Sequence, residues 1–321
     1  MFTFNFMNRV EDIIDRNEDY KDIIHITTWL EAGLRAIAMF YDDHSSDDNS
    51  KANIFRLKDN IFYRLNAAVF SYRVLLEELN RQEYIISKTE NSHLRNAEIF
   101  PEVSSFMTIM EPDISAAFDN VVFNIVSAFD YLSHCICYIA QKQKNDTKYW
   151  QKLSSAVRGE PYKYFIDNTK QVIIECDRNF VNSLITYRSN LIHNKRLPHR
   201  FSFNFEALKN IYHINIFATE FEIKEFKKKL PEGLDLSNIT LPFLASWLLK
   251  KTAIYFEAIF IGLEKDIKGN SSFFKNLQEP KLANGLFFFH VDPKTNVGTP
   301  VSEVIWKEFI IGRPKSISLY S

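Results

Sequence analysis

Glycine is what this chain lacks. It has 8 glycines in 321 residues, and Gly33 alone falls before Gly159. Glycine supplies most positive-φ turns and the bare backbone that phosphate-cradling loops need. A chain this poor in it disfavours nucleotide-binding α/β architectures and favours long helices. No Walker A loop, G-x-G-x-x-G run or nucleophile elbow occurs. Apolar residues make up 46%, with 29 phenylalanines among them, so a sizeable core is available. The formal net charge is -1, so an anionic partner would have to be met by a local patch.

Apolar residues recur at helical spacing over most of the length. Residues 8–41 and 52–87 form a helical hairpin joined by the acidic stretch "DDHSSDDNSK" (42–51). After a mixed segment (88–112), a helix starts at Pro112 and Asp113 and runs to 143; its middle is apolar on most sides, as in a buried helix. A shorter helix over 147–157 ends at Gly159 and Pro161. The next long helix covers 164–194 and stops at Pro198. "FSFNF" (201–205) and "INIFATEFEIKEF" (214–226) carry β-formers, 231–238 is a loop, and 242–267 is again helical. The last fifty residues read as a small β-rich or irregular extension. The expected divisions are an N-terminal helical region (1–95), a helical bundle (96–269) and a C-terminal extension (270–321).

The three cysteines, Cys135, Cys137 and Cys176, lack disulfide-framework or zinc-site spacing, and no metal or cofactor is expected. The apolar stretches 121–140 and 241–263 contain polar or charged residues and do not read as membrane spans. With no secretory pattern at "MFTFNFMNRVEDIID", a reducing cytoplasm is expected.

One local pattern resists a purely structural account. In "YRSNLIHNKR" (187–196), Arg188 falls near the centre of the face shared by Val181, Leu184, Ile185, Leu191 and Ile192 on an ideal wheel. A guanidinium there must meet an acceptor or line a cleft. Asp177 shares its stripe but lies eleven residues back, roughly 16 Å at the helical rise. Asp130, from another helix, is a candidate acceptor. His193 sits about 140° round the wheel from Arg188, so the two converge only at an irregular helix end or across two copies of the chain.

Arg188 and His193, with four residues between them, resemble the R-x4–6-H signature of HEPN domains, helical bundles found in prokaryotic defence and toxin systems. The position after the arginine, often Asn, Asp or His in that family, is Ser189 here, followed by Asn190. The resemblance covers about residues 112–267. It implies a mainly α, HEPN-like helical bundle, here with an N-terminal helical hairpin, a short β-rich insert and a C-terminal extension.

It also implies a metal-independent endoribonuclease acting on RNA. His193 would move protons, Arg188 would stabilise phosphorane charge, and a 2′,3′-cyclic phosphate would remain. Ser189, Asn190, Asn194 and Asp130 would support the pair, and Lys195, Arg196, His199 and Arg200 would neutralise RNA phosphates. Pairing as a homodimer would bring two motifs to one cleft, and an antitoxin or regulatory protein is a possible further partner. The alternative is a catalytically silent module of the same type, binding RNA, a nucleotide or a protein.

Overall fold

The computed structural model describes residues 16–44, 51–93, 100–140, 149–159, 167–193, 198–206, 211–269, 289–291 and 298–320. The protein is mainly helical, as the glycine scarcity led one to expect. Its helices are α1 (Arg16–His44), α2 (Lys51–His93), α3 (Phe100–Ile139), α4 (Trp150–Gly159), α5 (Asp167–Cys176), α6 (Asn182–His193), α7 (Glu220–Lys224), α8 (Leu241–Gly269) and α9 (Val301–Ile311). A π-turn, Asp177–Val181, joins α5 to α6 without a break.

Two antiparallel strand pairs interrupt the helices. Strands β1 (Arg200–Glu206) and β2 (Ile211–Phe217) pair from Arg200 opposite Phe217 to Glu206 opposite Ile211. Strands β3 (Phe289–Val291) and β4 (Gly298–Pro300) pair with Phe289 opposite Pro300.

The chain divides into two compact units, and neither is a continuous segment. The first comprises residues 1–23, 67–124 and 183–249; the second comprises 24–66, 125–182 and 250–321. Helices α1, α2, α3 and α8 each contribute residues to both. The expected cuts near 95 and 269 therefore do not follow this division.

The first unit packs around aromatic rings. Tyr187 of α6 is fully buried, edge-on to Phe118 of α3 and within 6.0 Å of the Phe226 centroid. Phe226 in turn meets Trp247 of α8 edge-on. Two hydroxyls in this unit converge on one carboxylate: Tyr72 donates to Asp19 at 2.5 Å, and Ser246 donates to the other Asp19 oxygen at 2.9 Å.

In the second unit Phe129 is the hub, meeting Trp150, Phe180 and Phe256 edge-on. Its glycines serve close approach. A Cβ on Gly33 would lie 2.7 Å from Phe309 and 2.8 Å from Phe260. One on Gly262 would lie 2.9 Å from the Thr169 backbone, so glycine lets α8 and α5 touch. Asp266 of α8 accepts from the backbone N–H groups of Asn168 and Thr169 and from both their side chains, which caps the start of α5.

Three expectations differ from the structure. Helix α3 begins at Phe100, not Pro112; the proline lies inside it, where its ring nitrogen cannot donate to the preceding turn. Residues 220–224, expected as strand, form α7, because Thr219 and Glu222 make a reciprocal capping box. The C-terminal extension contains α9, despite β-branched "VSEVIWKEFII". Ile305, Trp306 and Phe309 are buried at helical spacing, and Trp29 stacks on Phe309 at 4.6 Å while donating to its carbonyl at 2.6 Å. Tertiary packing overrides local strand preference here.

By length and composition, Arg16–Asp43 and Glu111–Ile139 would each be apolar enough to cross a membrane. In each, 61% of the most apolar window is buried inside the protein, as in a core helix.

Candidate functional site

The R-x4-H pattern occupies the last two turns of α6, and Tyr187 sets how those turns face. Its ring is locked in the first unit's core, and its hydroxyl donates to Asp119 at 3.1 Å. Lys229 donates to Ser183 in the first turn of the same helix. With Leu184 and Tyr187 fully buried, the centre of the packing face lies between them. Arg188 therefore falls on the flank, half-buried, together with half-buried Ile185 and Leu191. Ser189 is exposed and Asn190 half-buried.

The ideal wheel misplaced this face because it left out Tyr187, which is fully buried, and counted Ile185 and Leu191, which are only half-buried. In the π-turn the Asn182 N–H bonds to the Asp177 carbonyl, five residues back. One extra residue is thereby absorbed, so Asp177 and Arg188, about 20° apart on an unbroken wheel, are about 80° apart instead. Asp177 is buried and accepts from the Trp150 indole at 3.0 Å and from the Arg158 guanidinium.

His193 closes α6, where the unpaired carbonyls of a final turn favour a cationic side chain. Its side chain, and residues Asn194, Lys195 and Arg196, lie outside the described residues. Asp130 belongs to the second unit, whereas α6 from Ser183 onward belongs to the first. Its carboxylate accepts the Trp150 N–H at 2.9 Å, so it caps the start of α4.

The cations expected beyond the helix separate into two kinds. Arg200 is exposed; its guanidinium donates to the Ser237 carbonyl and lies 4.6 Å from the Phe217 ring centroid. His199, expected as a phosphate contact, is placed differently: its side chain is 0% exposed, so no RNA phosphate reaches it in this conformation. Its Nδ1 lies 2.8 Å from Glu111 and its Nε2 2.8 Å from Glu222, with Ser115 Oγ 3.3 Å from Nδ1. Its backbone N–H also donates to Glu111 at 2.5 Å.

Sequence reasoning missed Glu111, which sits in the stretch taken for a boundary, and Glu222. The second was legible: Thr219 and Glu222 stand at capping-box spacing. In "KEFKKK" (224–229), Lys224, Lys227 and Lys228 are exposed while Phe226 is buried. The cysteines are free and buried. Burial pushes the Cys135 thiol up to about 12, and burial together with the neighbouring Asp177 raises Cys176 well above its ordinary value. Neither is a poised nucleophile. Among the described residues, no group of three His, Cys, Asp or Glu side chains is arranged to hold a metal ion.

No family model, curated protein or solved structure matches the chain.

Proposed function

We propose that the protein is a HEPN-type, metal-independent endoribonuclease serving a prokaryotic defence or toxin role. The observation that carries this is the placing of Arg188. It is half-buried on the flank of a helix whose rotation is locked by Tyr187, one turn before the helix ends at His193. A residue so placed is neither sunk in the core nor fully in solvent. A planar, permanently charged fork in that position suits a trigonal-bipyramidal phosphorane. Histidine, with an ordinary pKa of about 6.5, suits proton transfer at the ribose 2′-oxygen and the leaving 5′-oxygen.

The supporting groups follow from the same helix. Ser189, Asn190 and Asn194 would orient the scissile group. Lys195, Arg196 and Arg200, with exposed Lys227 and Lys228 of the same unit, would neutralise the RNA backbone. Because Arg188 and His193 diverge by about 140° on one helix, a homodimer pairing two copies of α6 would complete each site.

The test is incubation of the protein with total RNA in EDTA, followed by analysis of the ends. Fragments ending in 2′,3′-cyclic phosphate are expected. Both Arg188→Ala and His193→Ala are expected to cut at least 100-fold more slowly while keeping the wild-type circular-dichroism spectrum. Wild-type rates in both variants would remove the motif from the chemistry. RNA binding without any cleavage would favour the silent module instead.

A further inference from the structure

Beside the motif, the first unit holds an ion cluster that ribonuclease chemistry does not use. Glu111 comes from α3, Glu222 from α7, and His199 stands between them at the threshold of β1. Carboxylate oxygens only accept when ionised, and a neutral imidazole has one N–H. Two N···O contacts of 2.8 Å on opposite sides of one ring therefore require two hydrogens. Neutral histidine with two carboxylates would leave one contact as lone pair against lone pair.

We propose that Glu111, His199 and Glu222 form a proton-loaded clasp, with His199 as imidazolium, that pins the start of β1 to α3 and α7. The clasp stands independently of whether the protein cuts RNA.

Among the groups facing His199 are Glu111 and Ser115 from α3, and Glu222 from α7. The second Glu222 oxygen is occupied by the Thr219 N–H at 2.6 Å and the Thr219 hydroxyl at 2.9 Å. On its own strand Arg200 turns away to the Ser237 carbonyl. Two carboxylates against one ring favour its charged form. The side chains of His199 and Glu222 are 0% exposed and that of Glu111 is 19% exposed, so a proton enters or leaves past Glu111.

The consequence is a stability that depends on pH in a stated direction. The closed clasp holds one proton more than a neutral histidine and two carboxylates. The unfolded chain gives that proton up above about pH 6.5, the ordinary histidine value. Unfolding then releases one proton, so the fold weakens as pH rises, until the clasp itself deprotonates. Opening frees His199, at the start of β1, from α3 and α7. The clasp is thus a pH-sensitive hold on that strand.

Glu222→Gln separates this from a plain packing role. A glutamine amide can donate to Nε2 while its carbonyl keeps the Thr219 bonds, and Nδ1–H still meets Glu111. All contacts then close with one proton fewer. Urea unfolding between pH 6.5 and 8.5 at constant ionic strength is the measurement. The ratio of wild-type to variant unfolding constants is expected to rise by up to roughly tenfold per pH unit, the effect of one proton. Parallel curves would overturn the proposal. A direct second measurement is 15N NMR of histidine-labelled wild-type protein at pH 7.5, where His199 should show both ring nitrogens protonated. A neutral tautomer there would overturn it even if the variant fails to fold.

Discussion

Asp266 shows how much one side chain can hold. Four donors from Asn168 and Thr169 converge on its two oxygens, and removing it leaves the two from buried Thr169 stranded. Asp266→Ala is expected to cost about 2–4 kcal/mol by urea denaturation. Gly33→Ala tests the opposite failure, overpacking. Its new methyl would press on the Phe260 and Phe309 rings at under 3 Å, and about 1–3 kcal/mol should be lost. Cys135 gives a pH signature. Its folded pKa, about 12, lies above the ordinary thiol value, so unfolding releases its proton at alkaline pH. Its contribution is complete below about pH 8.5 and is lost as pH climbs towards 12. Unfolding curves at pH 9–11 should accordingly be less pH-dependent for Cys135→Ala than for wild type. At this scale the sequence was half legible. Arg188 and His193 stood out by type and spacing. The burial of His199 did not, because its partners lie 88 and 23 residues away.

The long helices were visible because a 3.6-residue period survives over many turns. Their ends were less so: α3 runs through a proline that normally marks a start, and α9 is built from residues that prefer strands. In α9 the deciding information is the pocket offered by Trp29, Phe40 and Phe260, which no local pattern contains. Trp306→Ala should therefore cost about 3–5 kcal/mol. The loss should appear in the unfolding midpoint, although the residue lies only fifteen positions from the C-terminal residue. The α7 capping box was readable in principle, since T-x-x-E carries its own mechanism, and Thr219→Ala should cost about 1 kcal/mol.

Across the whole molecule, the division into units was the least legible feature. Sequence segmentation assumes that neighbours in the chain share a core, and here four helices serve two cores in turn. A fragment spanning 96–269 therefore takes parts of both units and completes neither. It is expected to show reduced helicity by circular dichroism and rapid proteolysis beside the intact chain. The π-turn falls beside this change: the second unit's stretch ends at Asn182, directly after the turn, and Ser183 opens one of the first. It works as a phase adjuster within one continuous helix. Removing one residue there, such as exposed Asn179, would turn the wide turn into an ordinary one and leave the phase of the helix beyond it unchanged. Removing one from α6 itself would swing everything beyond it by about 100°. Among descendants of a common ancestor, this is the place in the helix where a deletion could survive.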